Sequence, residues 1–494
     1  MIAAKYFGTS GAASAFTLAF LIPNTVRSLF ADSALSGAFI PVFSELLDKK
    51  KKAEAFRLAS TLFMIMLAVL GALTLVFILT AGVIVPLFTP STIADAGLDS
   101  LTVGLSQVLF PIVLILGLNG LVVGILQAYD RFTIPALSAL VWNLVIMGFL
   151  VGTRSYFHGN NALYGYAIGI LIGTAVQFAM ALPVLRKVGF EFTFAFDWRD
   201  PRVAQVFGLM LPVTLGLGLI NLNLFANAYI GGLISESVPR AIDNAFRIYM
   251  LPQGIFSVAI STVLFLQLSR LAGRHDFKGV QDLNARGLRL IFLMLLPATA
   301  ALLVLSHPIT QLVYQRGAFG PSSTDLVSTG LFWFAFSLPF SGVNLLLTRT
   351  FFGLKRPWLV TWLSVGNLIV NVGVSLALVP LGIAGVVIGT AVSDAAMAAA
   401  QFWLLRRVLG GKLELADMYR PLAKMIVAAT AFGAAAYAVW YGLDQALGAG
   451  LIDQVIEVGV ALSVGALAYA GLVILMRVPE ALTIRRLVES RLRS

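Results

Sequence analysis

The sequence predicts an all-α polytopic membrane protein, on three observations: its composition, its succession of apolar runs, and the alternation of basic residues between those runs. Of 494 residues, 59% are hydrophobic and 12% charged, where a soluble domain carries about 25% charged residues. A membrane-crossing helix needs roughly 20 apolar residues, and runs of that length follow one another along the chain. Thirteen full spans are expected, over 15–43, 56–87, 103–128, 134–152, 162–185, 203–232, 241–267, 288–314, 326–352, 358–379, 382–405, 422–442 and 455–476. Short turns marked by Gly and Pro separate most of them.

The connections alternate in charge. One set holds Lys49–Lys52 and Arg57, then Arg131, then Arg186, Lys187, Arg199 and Arg202. The same set continues through 270–289, Lys355 and Arg356, the 406–424 segment and the C-terminal tail, for 27 basic residues in all. The intervening connections carry three: Arg154, Arg240 and Arg316. Basic residues mark cytoplasmic loops, so the first set, with the C-terminus, is expected in the cytoplasm. The net charge of +11 is accounted for by that loop pattern, without nucleic acid.

Composition also limits the chemistry. There is no cysteine and there are three histidines, which excludes thiol chemistry and leaves no histidine cluster for a metal. No nucleotide-binding loop, paired carboxylates or metal-ligand spacing appears, and the loops are too short for a catalytic domain. The expectation is a protein without enzymatic activity, metal or cofactor, acting as a monomer.

Two halves of the chain repeat. Phe110-Pro111 recurs as Leu338-Pro339, Gly173-Thr174-Ala175-Val176 as Gly389-Thr390-Ala391-Val392, and Leu185-Arg186-Lys187 as Leu405-Arg406-Arg407. Both copies carry cytoplasmic charge, so the repeat is parallel, related by an axis along the membrane normal. The second half uses six spans and the first five, and Met1–Phe7 reads as the last turns of a sixth. A truncated first helix is therefore expected. The organisation predicted is an N-lobe over 1–190, a C-lobe over 200–410, a helix pair over 420–478 and a basic tail over 479–494.

Lys5, Arg27, Arg247 and Arg349 lie outside the charged connections. An arginine at the centre of a span costs on the order of 3 kcal/mol and so faces a cavity or a partner. Arg27 is thirteen residues into its span from Ser14, too deep to reach the interface easily. Arg349 is six residues from Lys355, close enough to snorkel. Ion pairs with Asp32 or Asp243 are the bland reading for Arg27 and Arg247; Asp243 sits one turn before Arg247 and can pair. Both arginine spans contain a proline, Pro23 or Pro252, which frees a backbone carbonyl and bends the helix. Bent helices bearing arginines, one from each half, point to a cationic cavity. The planar guanidinium suits phosphate oxygens, so an anionic, phosphate-bearing ligand is expected. Asn223, Asn227, Asn367, Asn371, Thr390 and Asp394 are the remaining intramembrane polar residues of note. Hydrogen bonds between helices explain them; a monovalent cation site at Asn227, Asn367, Asn371 and Thr390 is the sharper alternative.

At these residues a family resemblance emerges. Leu21-Ile22-Pro23-Asn24 with Arg27, Leu29-Phe30-Ala31-Asp32 and Ala38-Phe39-Ile40-Pro41 resemble the second helix of the MurJ (MviN) lipid II flippases, in the multidrug/oligosaccharidyl-lipid/polysaccharide (MOP) exporter superfamily. Ile125–Tyr129 with Arg131-Phe132, Ala245-Phe246-Arg247 followed by Leu251-Pro252-Gln253-Gly254, and Tyr314–Phe319 resemble later motifs of that family. The resemblance implies fourteen helices, twelve in two lobes and a C-terminal pair. It also implies movement of lipid II from the inner to the outer leaflet by alternating access, in a bacterial plasma membrane. The polyprenyl tail would remain in membrane lipid. Head-group contacts carry over onto Arg27 and Arg247, with Asn24 beside them, and Asp32 takes the place of a gating or charge-partner acid. Departures are Ser14, Phe246, Asn227 and Asn371, each where some members have an acid, and the absent first-helix arginines. The asparagines weaken any expectation of sodium coupling. The alternatives are a flippase for another polyprenyl-linked oligosaccharide or a cation-coupled drug antiporter. A scaffold protein would have no use for buried arginines.

Overall fold

The structure is a computed structural model that describes residues 1–30, 33–194, 196–410, 416–448 and 450–482; the side chains of 29, 30, 33–38, 212, 213, 216, 217, 416 and 417 are not described. The described residues are helices and their connections, with no strand among them. Eleven helices among them are long and apolar enough to cross a membrane, and Gly218–Ile234 is a further, shorter apolar stretch. The chain is a multi-pass membrane protein. It divides into two compact units: Thr9–Arg240 with Ile2, and the chain from Ala241 on with Met1 and Ala3–Gly8.

The first unit contains α2 (Gly11–Phe30), α3 (Ser33–Asp48), α4 (Lys52–Leu87), α5 (Ser91–Asp95), α6 (Asp99–Leu109), α7 (Ile112–Ala128), α8 (Thr133–Gly152), α9 (Ala162–Lys187) and α10 (Pro201–Ile234); α1 (Ile2–Phe7) precedes them. The span predicted over 15–43 is made of α2 and α3, on either side of residues 31 and 32. The span predicted over 103–128 divides into α6 and α7 at Phe110-Pro111, because the proline has no N–H to continue the ladder. Phe39, Phe43, Phe56, Leu62, Phe77 and Phe110 form the centre of this unit. The Phe77 and Phe110 rings stack with centroids 3.7 Å apart, so the break at Phe110 is itself packed. Gly165, Gly169 and Gly173 line the α9 face towards α8; a Cβ on Gly169 would lie 2.9 Å from Phe149 Cβ. Lipid tails give no hydrophobic drive between helices, so this kind of close approach holds them together. At the start of α10, the Asp200 side chain accepts from Arg202 N. The Arg202 guanidinium bonds Asp200 and, at 2.7 Å, Glu54. That guanidinium holds the Asp200 carboxyl below the usual carboxylate range. A lowered carboxylate pKa adds stability above its unfolded value, which fades as pH falls through the folded one.

The second unit contains α11 (Val238–Pro252, from Ala241 on), a π-helical turn (Gln253–Val258), α12 (Ala259–Gly273), α13 (Phe277–Val304) and α14 (Ser306–Tyr314). It continues with α15 (Pro321–Gly353), α16 (Pro357–Ala377), α17 (Ile383–Val408), α18 (Ala416–Ala446) and α19 (Leu451–Leu475). Two expectations change here. The span placed at 288–314 is the helix α13, which begins at Phe277, followed by the separate short helix α14. Asp276 starts α13 early by accepting from Gly279 N at 2.9 Å, a side-chain cap. In the span 241–267, Pro252 cannot donate, and the helix widens into the π turn directly after it. Helices α18 and α19 pack on each other, and α18 packs on α13. Leu293, Met425, Ala428, Phe432 and Tyr469 fill that seam, and the Tyr469 hydroxyl donates to Leu293 O at 2.8 Å. At its end the Arg289–Glu480 ion pair and a 2.7 Å bond from Lys424 Nζ to Met476 O tie the elements together.

Helix α1 sits with the second unit. Ala318 N donates to Lys5 O at 2.8 Å, and two glycines make the contact possible. Gly8 (φ 55°) and Gly317 (φ 64°) both have left-handed backbones. A Cβ on Gly8 would lie 2.5 Å from Ala318 O, and one on Gly317 would lie 2.5 Å from Lys5 O. This interlock is the physical content of the Gln315-Arg316-Gly317-Ala318-Phe319 motif. Gly317→Ala is expected to destabilise by about 1–2 kcal/mol from the backbone alone, plus the clash. Gly97 also has a left-handed backbone (φ 72°), at the end of α5, with open space around it, so Gly97→Ala carries only the backbone cost. Thermal melts of both purified variants compare the two; equal losses would remove the interlock as an explanation.

Candidate functional site: an arginine in an amide-lined pocket

The first unit presents Arg27 to a pocket of about 290 Å³. Helix α2 supplies Pro23, Asn24 and Arg27, α7 supplies Asn119, α8 supplies Trp142 and Asn143, and α9 supplies Gln177. The helix carrying Arg27 is apolar for most of its length, and the charge lies one turn beyond Asn24. That spacing sets the geometry. Arg27 Nε and Nη2 both donate to Asn24 Oδ1, at 3.1 and 2.9 Å. Asn24 Nδ2 donates in turn to Asn221 Oδ1 on α10 at 2.9 Å. An amide carries no charge, so Asn24 orients the guanidinium without neutralising it.

The pocket walls are themselves fixed. Trp142 Nε1 donates to Thr174 Oγ1 at 3.1 Å, and Asn143 Nδ2 donates to Ala139 O at 2.9 Å. Asn119 is 7% exposed, yet no donor reaches its Oδ1 among the described residues. A buried acceptor left in this way costs free energy until something donates to it. The pocket therefore offers a cation with fixed orientation, amide donors, and one acceptor awaiting a polar group.

Arg247 lies in the second unit on α11. Its Nε donates to Asp243 Oδ2 at 3.0 Å, so the pairing alternative raised for it is the one the structure contains. The Arg247 side chain remains 57% exposed. Asp32 falls outside the described residues. Of the residues suggested for a cation, Asn371 and Thr390 come together: Thr390 Oγ1 and Ser375 Oγ lie 3.4 and 3.3 Å from Asn371 Oδ1. Asn367 is directed to Asp394 instead, at 3.5 Å from its Oδ1. Asn227 is buried on α10, in the first unit.

Arg240 corrects the charge map. It was counted with the connections, but it is the third residue of α11 and 6% exposed. Its N–H donates to Ser14 Oγ at 3.2 Å and Nη1 to Thr17 Oγ1 at 3.4 Å. Arg349 lies over the Phe265 ring at 5.6 Å, a cation–π contact. Sequence reasoning did not single out Asn119 or Gln177. The available signal was an amide in an apolar run, which interhelical hydrogen bonding also produces.

A second cavity is of the opposite character. In the second unit, Leu251, Pro252 and Phe256 face Pro297, Phe432 and Tyr469 across about 770 Å³ of almost wholly apolar space. It runs between α11, α13 and the C-terminal pair.

Comparisons with known proteins agree along the length of the chain. The family model described as lipid II flippase MurJ matches residues 3–477. A probable lipid II flippase MurJ of Rhizobium meliloti is 30% identical over 384 residues, which cover 76% of this chain and 71% of that protein. Its counterpart in Bdellovibrio bacteriovorus is 27% identical over 480 residues, or 96% and 90% of the two chains. Among solved structures, a lipid II flippase MurJ in an inward closed conformation aligns with a TM-score of 0.77 at 21% identity, over 99% of this chain and 95% of that one. An inward-facing MATE family multidrug transporter of the MOP superfamily aligns with a TM-score of 0.68 at 15% identity, over 81% and 91%. At those identities the structures establish the fold. The family model spans nearly every residue, and the Rhizobium relative matches most of both chains: this chain belongs to the lipid II flippase MurJ family.

Proposed function

We propose that this protein moves lipid II from the inner to the outer leaflet of the bacterial plasma membrane by alternating access, with its C-terminus in the cytoplasm. The observation that carries the reading is Arg27, held by Asn24 in an amide-lined pocket within an apolar helical unit. Lipid II joins a pyrophosphate, a sugar and a long polyprenyl chain. A guanidinium binds phosphate oxygens in a charge-assisted fork, and amides bind sugar hydroxyl and acetamido groups. Arg247, exposed on α11 and paired with Asp243, is a further residue assigned to head-group contact. The apolar cavity against α18 and α19 has the chemistry of a polyprenyl chain, which would lie there rather than in bulk lipid alone. The basic connections support the orientation. The family is one of transporters, and nothing in the proposed cycle makes or breaks a covalent bond of the lipid.

The direct test is complementation of a strain depleted of its lipid II flippase, with lipid II in the outer leaflet as the readout. This chain is expected to restore growth and externalised lipid II. Failure to do so while reaching the membrane would overturn the reading. Drug efflux in its place would favour a related MOP exporter.

Arg27→Ala is expected to lower externalised lipid II by at least about 10-fold, since hydrogen bonds to a charged group are worth about 1.5–3 kcal/mol. Arg27→Lys should also be impaired, because an ammonium does not reproduce the fork. Asn24→Ala keeps the charge and loses its orientation, and should fall between wild type and Arg27→Ala. Full activity of Arg27→Ala at normal membrane levels would remove Arg27 from the site.

A further inference from the structure

The connection between α9 and α10 carries an aromatic residue at every second position: Phe190, Phe192, Phe194, Phe196 and Trp198. Both of its ends are fixed. After α9 the chain turns at Gly189 (φ 70°), where Phe190 N donates to Leu185 O at 3.2 Å, a helix stop of the Schellman kind. At the other end the Asp200 side chain caps α10. Between these ends the segment lies along the opening turns of α4. The Phe190 ring packs on Phe56 with centroids 4.8 Å apart, and Phe192 on Phe63 at 5.3 Å. Thr193 N donates to Ser60 Oγ at 3.1 Å, and Arg57 pairs with Asp197 at 3.1 Å.

Leu67, one turn beyond Phe63 and so on the same face of α4, is exposed, as befits the side that a long apolar helix turns to lipid. The aromatic row thus begins at the edge of a lipid-facing surface. Past Phe192 the rings stand outward: Phe194 is 90% exposed, Phe196 58% and Trp198 59%. Rings held open by a tethered backbone are costly in water, and they suit a membrane interface, where aromatic residues concentrate. The charges around them sort in the same direction. Nearby acids are engaged: Asp197 by Arg57, Asp200 by Arg202, and Glu54 by Arg202 and Lys51. Lys52 and Arg199 lie over rings instead, 5.1 Å from the Phe56 centroid and 5.0 Å from that of Trp198. With Arg186 and Lys187 in the last turn of α9, they make no ion pair among the described residues. Glu191 stands between two rings that are both packed on α4, so in a chain of alternating side chains it points the other way. An apolar row flanked by cations without acids complements a surface that is apolar within and negative at its edge.

We propose that this segment is a docking surface for anionic phospholipids of the leaflet on the basic side of the protein. The rings of Phe194, Phe196 and Trp198 enter the acyl boundary, and Lys52, Arg186, Lys187 and Arg199 lie at the level of the phosphates. Interfacial segments bind by this sum of apolar burial and attraction to anionic lipid. The same segment is tied to α4 through Arg57 and leads directly into the Arg202–Glu54 pair between α10 and α4. Lipid gathered here therefore gives the composition of the leaflet a hold on both helices. The effect on lipid II movement, and the cytoplasmic identity of that leaflet, rest on the transport reading; the docking surface does not.

The chain has no cysteine, so a single introduced cysteine labels cleanly. The purified full chain carrying Phe194→Cys, Phe196→Cys or Glu191→Cys, each labelled with bimane, is placed in nanodiscs of equal parts phosphatidylglycerol and phosphatidylcholine. One lipid or the other carries a quenching nitroxide on its acyl chain. Quenching is expected to be at least several-fold stronger for the Phe194 and Phe196 labels than for the Glu191 label. Labelled phosphatidylglycerol should quench more than labelled phosphatidylcholine, and Lys52→Gln and Arg199→Gln should each lower that preference by about fivefold. Labels left unquenched by both lipids, as they would be if the row received a protein instead, overturn the proposal. Equal quenching by the two lipids, or a preference that survives the loss of both charges, does so too. If the cysteine variants do not accumulate, tryptophan quenching in wild type less that in Trp198→Phe makes the same comparison, and the absence of any difference overturns the assignment. Externalised lipid II is then expected to fall at least several-fold when Phe194→Ser and Phe196→Ser are combined, at normal membrane levels. Wild-type movement in that variant would remove the link to transport. If wild type moves no lipid II at all, the transport reading fails, and the quenching result still decides the docking surface.

Discussion

Everything in this molecule follows from the absence of water across the membrane core. Backbone N–H and C=O groups must be satisfied within their own segment, which leaves helices as the available structure. The same rule acts on side chains. Thr17, Thr25 and Thr174 each donate to the carbonyl four residues earlier, so they enter apolar helices without an unmet bond. Where a proline removes a donor, at Pro111 or Pro252, the chain breaks or widens; at Pro111 the break is covered by the Phe77–Phe110 stack.

Polar groups that the rule does not settle locally stand out against the apolar helices. Arg27 is oriented by the Asn24 amide, which brings no charge of its own. Asp394 is ringed by hydroxyl and amide groups. Asn119 and Asn344 each keep an unanswered acceptor. In a soluble protein a nearby water would quiet such groups at little cost. In lipid they persist as places where a ligand improves the balance.

The fold was legible because its signal is local and repeated. A run of apolar residues, a basic loop and another apolar run are readable without tertiary information, and Arg27 was conspicuous as a charge deep within such a run. What was not legible depends on contacts between distant segments. Arg240 stood near a connection in sequence, but Ser14 and Thr17 draw it into a helix. The break between α13 and α14 falls at Leu305, three residues before Pro308, whose missing N–H leaves the Val304 carbonyl without its helical donor; that proline sits inside a run otherwise readable as one span. Asn119 and Gln177 acquire meaning only when α7 and α9 bring them to Arg27.

The bond between Lys5 O and Ala318 N also has a consequence for biosynthesis. The two residues are separated by more than 300 positions, and a ribosome adds roughly 5–20 residues per second. Helix α1 therefore waits about 15–60 s for its partner loop while the intervening spans are inserted. During that interval its docking surface does not exist, and the first unit must assemble without reference to it.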